Sequence, residues 1–505
     1  MKPKFLTGCL IGAAVLVLSA GCKKNEFMPG DMVMGANIDL LGLTPNNEIV
    51  VFSAGDPGNF TSTVAIKGLV MGDKIISIDF RPATGELYGL GASSRLYVIN
   101  YDNGMARNIS GMGFAPELMG SSASIDFNPT VDRIRLVTNE GQNLRLNPET
   151  GGVVAIDGNI SGPPGTSISA VAYTNNVAGA TTTTLYDIDL ANGVLYKQDP
   201  PNAGGLMKVG DLGIKAMGEA GFDISPDNKH VIATAPQKGG NTDLFTIDLN
   251  TGRAGKIRTV PGSVIDIAIP TRPVAYAVDG SNMLHIFHPE MPSEVTSKML
   301  SGMPMGTTLV GIDFRPANGQ LYGLGSNSQL YTINTANGAV APVGGPLTTM
   351  LMGSEFGFDF NPTVDRIRVV SNAGQNLRLH PVTGALLAVD GMLQPGMPMV
   401  SAAAYTNNFA GAASTELFVI DHMAGKVLFQ NPPNEGVLVE RGSLGLMVTG
   451  SNGFDIGGRS NKAYALLTSG STTGIYSINL TTGMASGMRS FGKTNIKGFA
   501  IAPGY

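Results

Sequence analysis

Cysteine is nearly missing from this chain. Of its 505 residues two are cysteines, Cys9 and Cys22, both within the first two dozen positions. Beyond them there is no disulfide, no thiolate metal site and no cysteine nucleophile. Tryptophan is absent, only 14% of residues are charged, and the net charge is −5. No Lys/Arg run follows residue 24. That balance excludes a general attraction to nucleic acid or to an anionic membrane surface. The apolar stretch Phe5–Leu18 is shorter than the roughly 20 residues that span a bilayer. Catalytic signatures are missing too: no G-x-S-x-G, H-E-x-x-H, P-loop or dinucleotide fingerprint occurs. Of the five histidines, His285 and His288 stand three apart on a predicted strand and its exit. They face opposite ways and make a poor metal pair.

Glycine is what the chain has in excess: 68 residues, about 13% against a usual ~7%, with 30 prolines. Many glycines close a recurring nine-residue phrase: an apolar stretch, then Asn, Asp or His, three residues, and Gly. It occurs at Leu96–Gly104, Asn143–Gly151, Leu185–Gly193 and Leu244–Gly252. It returns at Leu330–Gly338, Asn376–Gly384, Leu417–Gly425 and Ile475–Gly483. Successive closing glycines are 47, 42 and 59 residues apart in the first set and 46, 41 and 58 in the second. Alternating side chains suit a half-buried strand, and Asn/Asp with a terminal Gly suits a hairpin corner at positive φ. Small antiparallel sheets repeated every 40–60 residues predict a radial array.

The whole pattern is also duplicated. Ile78–Gly91 returns as Ile312–Gly325, Asp126–Arg135 returns unchanged as Asp359–Arg368, and Gly141–Leu146 matches Gly374–Leu379. Ala172–Asn176 matches Ala404–Asn408, and Pro200–Asn202 matches Pro432–Asn434, always at an offset of 231–234 residues. The expected fold is all-β: tandem β-propellers with about five four-stranded blades per copy. The first blade of the first copy lacks an inner strand of its own, whereas Val264–Pro270 and Ile496–Pro503 each look like inner strands with spare pairing capacity. Either each strand closes a five-bladed ring, or Ile496–Pro503 closes one ten-bladed ring. Two rings are the better expectation, because each half holds a full complement of strands. The Asp of each Ile-Asp-Phe before a Pro turn is expected to accept hydrogen bonds from that turn's amides.

The beginning of the chain reads as a targeting segment. Lys2 and Lys4 precede the apolar stretch, and Ser19-Ala20-Gly21 precedes Cys22. This resembles the bacterial lipoprotein box, although Ser19 stands where Leu is commonest; an ordinary signal peptide is the alternative. The implied division is a signal peptide at 1–21, lipidation at Cys22 and a flexible tether at 22–35. The first propeller copy then spans 36–270 and the second 271–505. The implied location is the cell envelope, with the protein lipid-anchored to the outer membrane on its periplasmic or exposed face.

The string G-I-D-F-R-P-x-x-G-x-L-Y-G-L-G, with F-N-P-T-V-D-R-I-R-V-V, N-x-G-Q-N-L-R-L, A-Y-T-N-N, P-P-N and G-F-D-I, resembles a bacterial family known as domain of unknown function 4394. Two copies of the resemblance cover nearly everything after residue 36, with Ser77 in the first where Gly311 stands in the second. The resemblance implies a secreted or surface-attached β-rich module and no particular reaction.

The densest polar constellation is Arg133, Arg135, Asn143 and Arg145, with its twin Arg366, Arg368, Asn376 and Arg378. Period two puts Arg133 and Arg135 on one face, and Asn143 and Arg145 on one face of the next strand. Three guanidiniums near Asp126 and Asp132 would clamp a carboxylate, sulfate or phosphate, or else tie neighbouring blades through Arg–Asp pairs. Asn175, Asn176, Asn407 and Asn408, beside rigid Pro-Pro-Asn loops, suit contact with a carbohydrate or peptide, or simply close turns. Two functions from different classes stand. One is a binding or scaffolding module for a glycan, peptide or protein, without cofactor. The other is a calcium-assisted hydrolase or lactonase-like enzyme using a propeller channel, with Asp79 or Asp126 near the axis.

Overall fold

The computed structural model describes Met1 and residues 35–505. The signal peptide, Cys22 and nearly all of the tether lie outside the described residues. The remainder forms ten four-stranded antiparallel sheets. Among the described residues no helix is long and apolar enough to cross a membrane.

Eight sheets are simple meanders. The second, for example, runs Ile75–Phe80, Leu87–Gly91, Arg95–Ile99 and Ala106–Asn108. The other two close rings. Strand Asp266–Ala268 pairs with Asp39–Leu43, more than two hundred residues earlier, to complete the first sheet. Strand Ile496–Ile501 pairs with Ala275–Asp279 in the same way. Inner strands then touch in two separate circles. One runs through Asp266–Ala268, Ile75–Phe80, Ala123–Asn128, Ala170–Tyr173 and Phe222–Ile224. The other runs through Ile496–Ile501, Leu309–Arg315, Phe356–Asn361, Val400–Tyr405 and Asn452–Ile456. These are two five-bladed propellers, blades 1–5 and 6–10, and the single ten-bladed ring is ruled out.

The core is divided in the same way. Ten apolar clusters fill the interfaces between adjacent blades, five in each ring. One joins blade 5 to blade 1 through Leu40, Phe52, Ile232 and Leu244, and another joins blade 10 to blade 6 through Ala275, Phe287, Tyr464 and Leu466. A blade's central strands are covered on both faces, so Leu87–Gly91 is buried throughout. Outermost strands are covered on one face, and Val153–Ile156 alternates half-buried with exposed. Each large apolar side chain enclosed this way contributes about 1.5–3 kcal/mol.

The nine-residue phrase is a hairpin: between the third and fourth strands in six blades, and between the second and third at Leu185–Gly193 and Leu417–Gly425. Its eight closing glycines have φ between 61° and 78°, a region costly to any residue with a Cβ. The polar residue four places earlier caps the turn: Asn100 Oδ1 accepts from the amides of Asp102 and Asn103. His380 does the same with Nδ1, accepting from Val382 and Thr383.

Candidate binding sites at the ring axes and between the rings

The aspartates of the inner strands, in Ile-Asp-Phe, Phe-Asp-Ile or Phe-Asp-Phe, converge on the ring axes. Oxygens of Asp79, Asp126 and Asp223 lie within 4.8 Å of one another in the first ring, as do those of Asp313, Asp359 and Asp455 in the second. All six are buried. Their hydrogen bonds differ from the expected turn closure. Asp79 Oδ1 accepts from the next amide, Phe80 N, at 2.7 Å, and Oδ2 accepts from Phe127 N of the following blade at 2.7 Å. Asp126 accepts from Tyr173 N of blade 4 at 3.1 Å, and Asp223 from Ile224 N and from Ile269 N of blade 1. The second ring repeats this, with Asp313 to Phe360 N, Asp359 to Tyr405 N and Asp455 to Ile501 N. Each aspartate is thus a clasp between successive inner strands. The amides it takes belong to the neighbouring blade because those N–H groups point sideways at the axis, where no ladder partner exists.

Burial and mutual repulsion raise these carboxyls. Asp79, Asp126, Asp313 and Asp359 stand well above the ordinary range, by desolvation first and then by neighbouring carboxylates. Desolvation pushes Asp223, Asp266 and Asp455 up to about 7, against the amide bonds that pull them down. Each axis therefore retains protons near neutral pH.

One layer along the axis the two rings differ. In the first, Asp266 Oδ2 accepts from Ser77 Oγ at 2.6 Å and Ile78 N at 2.8 Å. Ser77 Oγ accepts in turn from Ile125 N, and Ser124 Oγ from Val171 N. In the second ring glycines occupy this layer. A Cβ on Gly311 would meet Phe358 Cβ at 2.5 Å, and one on Gly498 would meet Ile312 N at 2.7 Å.

The Arg/Asn constellation is brought together around a residue the sequence reading passed over. Arg135 Nη1 meets Asp157 Oδ2 at 2.6 Å, and Arg145 grips the same carboxylate with Nε and Nη2 at 2.8 and 2.9 Å. Arg135 also donates to Asn143 Oδ1 and, across the blade boundary, to Asn202 Oδ1, both at 2.7 Å. Asn143 Nδ2 reaches Pro201 O. Arg368, Arg378, Asn376, Asp390, Asn434 and Pro433 repeat every contact. Arg133 and Arg366 stand apart, each donating to the carbonyl of the residue before it. Asp132 does not join this group: its carboxylate takes Arg81 of blade 2. The signal for Asp157 was available, since Ala-Ile-Asp-Gly and Ala-Val-Asp-Gly stand at matching places in both copies.

Asn175 and Asn228 exchange hydrogen bonds between blades 4 and 5, as Asn407 and Asn461 do between blades 9 and 10. Asn176 is buried with neither side-chain atom partnered, and Asn408 is buried with Oδ1 unpartnered.

The rings meet through the blade ends that carry the first and third hairpins. Arg81 is only 2% exposed and binds Asp132, Glu149 and, across the seam, Gly319 O at 3.1 Å. Tyr276 Oη donates to Ala83 O, Arg107 to Ala317 O, and Gly504 N to Thr84 O. Arg459 forks onto Asp102 and lies over the Tyr101 ring, its guanidinium carbon 4.0 Å from the centroid. Beside this strut opens a cleft of about 430 Å³, walled by Val98, Tyr101 and Met105 from the first ring and Pro316, Phe409 and Pro503 from the second. A second hollow of about 480 Å³, lined by the inter-ring connection Pro270–Val274, lies on the strut's other side. Neither appears in a pattern read within one copy.

The model of a domain of unknown function, DUF4394, matches residues 48–268 and again 283–500. The chain belongs to that family. No curated protein matches the sequence. Among solved structures, a Dos1 propeller is 12% identical, with 68% of this chain and 92% of that one covered at a TM-score of 0.27. Kuenenia stuttgartiensis hydrazine synthase is 11% identical, with 72% and 98% covered at a TM-score of 0.25. In this DUF4394 protein the two family matches each fall on one ring, and the cleft draws its walls from both.

Proposed function

We propose that this DUF4394 protein is a binding module of the cell envelope, held to the outer membrane by a lipid on Cys22. Its ligand, a glycan, a peptide or an extended segment of a protein, enters the cleft between the rings. The observation supporting this is the cleft itself: a cavity of about 430 Å³, apolar walls from both rings, and polar groups of Asn100, Asn103, Arg107 and Arg459 at its margin. Ligand sites commonly have that size and mixture. The Arg135 and Arg368 clusters, whose donors are engaged within the protein, then serve as ties between blades. Glycan and peptide libraries, screened by calorimetry, test the reading. Phe409→Ala and Arg459→Ala should each weaken a hit at least tenfold; a hit untouched by both overturns it.

A second reading is a calcium-assisted hydrolase, favoured by the convergence of three carboxylates on each axis within 4.8 Å. Calcium seeks six to eight oxygens, and most of these accept backbone amides. Metal analysis of purified protein, with melting before and after chelation, separates the readings. A stoichiometric cation whose removal lowers the melting temperature supports the second.

A further inference from the structure

Methionine is among the residues most often buried, yet here it avoids the core. Among the described residues seventeen methionines besides Met1 are exposed, Met283, Met303 and Met399 are half-buried, and none is buried. The six most exposed are Met71, Met112, Met217, Met305, Met397 and Met447, between 81% and 103% accessible. All six lie on connectors from the outermost strand of one blade to the inner strand of the next. In a four-stranded meander those connectors share one end of the blade, while the first and third hairpins share the other. The opposite end carries Arg81, Tyr101 and Arg459 and forms the inter-ring seam. Each ring therefore presents its three most exposed thioethers on the face turned away from its twin. With no cysteine beyond Cys22 and no tryptophan, the described core holds no sulfur and no indole to oxidise.

We propose that these connector faces are an oxidant-consuming coat, in which exposed thioethers take oxygen from hypohalous acids while the blades stay intact. With hypochlorous acid the sulfur lone pair attacks oxygen, an S–O bond forms and the O–Cl bond breaks. Sulfur loses two electrons, chlorine is reduced to chloride, and the hydroxyl proton passes to water. The product, a sulfoxide, is polar. In a core it would disrupt packing; on a connector it meets water.

The full-length protein is titrated with hypochlorous acid and followed by peptide mass mapping, near-ultraviolet circular dichroism and melting. The expected result is sulfoxide first at the six connector residues, with melting unchanged within ~5 °C, about the shift of one to two kcal/mol. A larger fall while those six are being consumed, or chlorination of tyrosine and lysine ahead of them, overturns the proposal. The variant with all six changed to Leu (M71L, M112L, M217L, M305L, M397L, M447L) should consume about six fewer equivalents, one per sulfur removed. It should also protect an added oxidant-sensitive enzyme less well; equal protection by the variant overturns the proposal too.

Discussion

The two rings solve one problem by two means. Inner strands of a propeller must be held side by side around an axis with no ladder hydrogen bonds between them. In both rings aspartates do this in one layer, clasping the next blade's amides. In the adjoining layer the first ring adds a relay of Asp266, Ser77 and Ser124, whereas the second drops its side chains and lets backbone touch backbone at Gly311, Gly357 and Gly498. Polar clasps and bare glycine are thus interchangeable in the same fold, but differ in consequence: a clasp titrates and a glycine contact does not.

Substitutions that exchange features between the rings test this. The largest effect is expected at the seam. Arg81→Ala strands Asp132 and Glu149 without their cation and should cost about 3–5 kcal/mol in urea unfolding. The equivalent Arg315 is partly exposed and pairs with Asp365 at the surface, so Arg315→Ala should cost roughly 1 kcal/mol. Equal losses would mean that burial by the opposite ring is irrelevant.

Next comes Asp187, fully buried with neither oxygen partnered, where the second ring has Val419. Desolvation holds its carboxyl well above the ordinary range, with Arg135 pulling the other way. Asp187→Val should stabilise by about 1–3 kcal/mol at pH 8, and Val419→Asp should destabilise by a similar amount. Calorimetric melting of both variants decides it.

The axial carboxyls set a smaller, graded effect. Their folded pKa lies above the unfolded value, so they favour the folded state below about pH 4, and that contribution declines as pH rises toward 7. Between pH 5 and 8 the melting temperature should fall, and Asp266→Gly with Ser77→Gly should flatten that slope toward the second ring's behaviour. Asp227, held at about 2 mainly by Ser225, acts oppositely but only in acid. A slope unchanged by the double variant would show that Asp266 does not titrate there. Smallest of all, His380→Asn exchanges one turn cap for the cap at most sister positions and should stay within about 0.5 kcal/mol by melting.

Blade number and both closing strands were legible because they depend on local periodicity: a strand phrase, a positive-φ glycine, an unpaired inner strand. The aspartate partners were not, since Phe127 N lies 48 positions from Asp79 and becomes its neighbour only when the ring curves. Period two brought Arg135, Asn143 and Arg145 together but wrongly added Arg133 and Asp132, and Asp157, which holds the cluster, carried no motif beyond its recurrence in Asp390. The cleft was beyond reach of repeat reasoning altogether, because Tyr101, Phe409 and Pro503 come from non-equivalent places in the two copies.

Closing each circle with a strand some two hundred residues after its partner also sets an order of events as the chain emerges, N-terminus first, where it folds. The first circle can lock as soon as Asp266–Ala268 emerges, before most of the second has followed. Until then blade 1 waits as three strands with a naked edge, the moment at which a nascent chain is most open to pairing with the wrong neighbour.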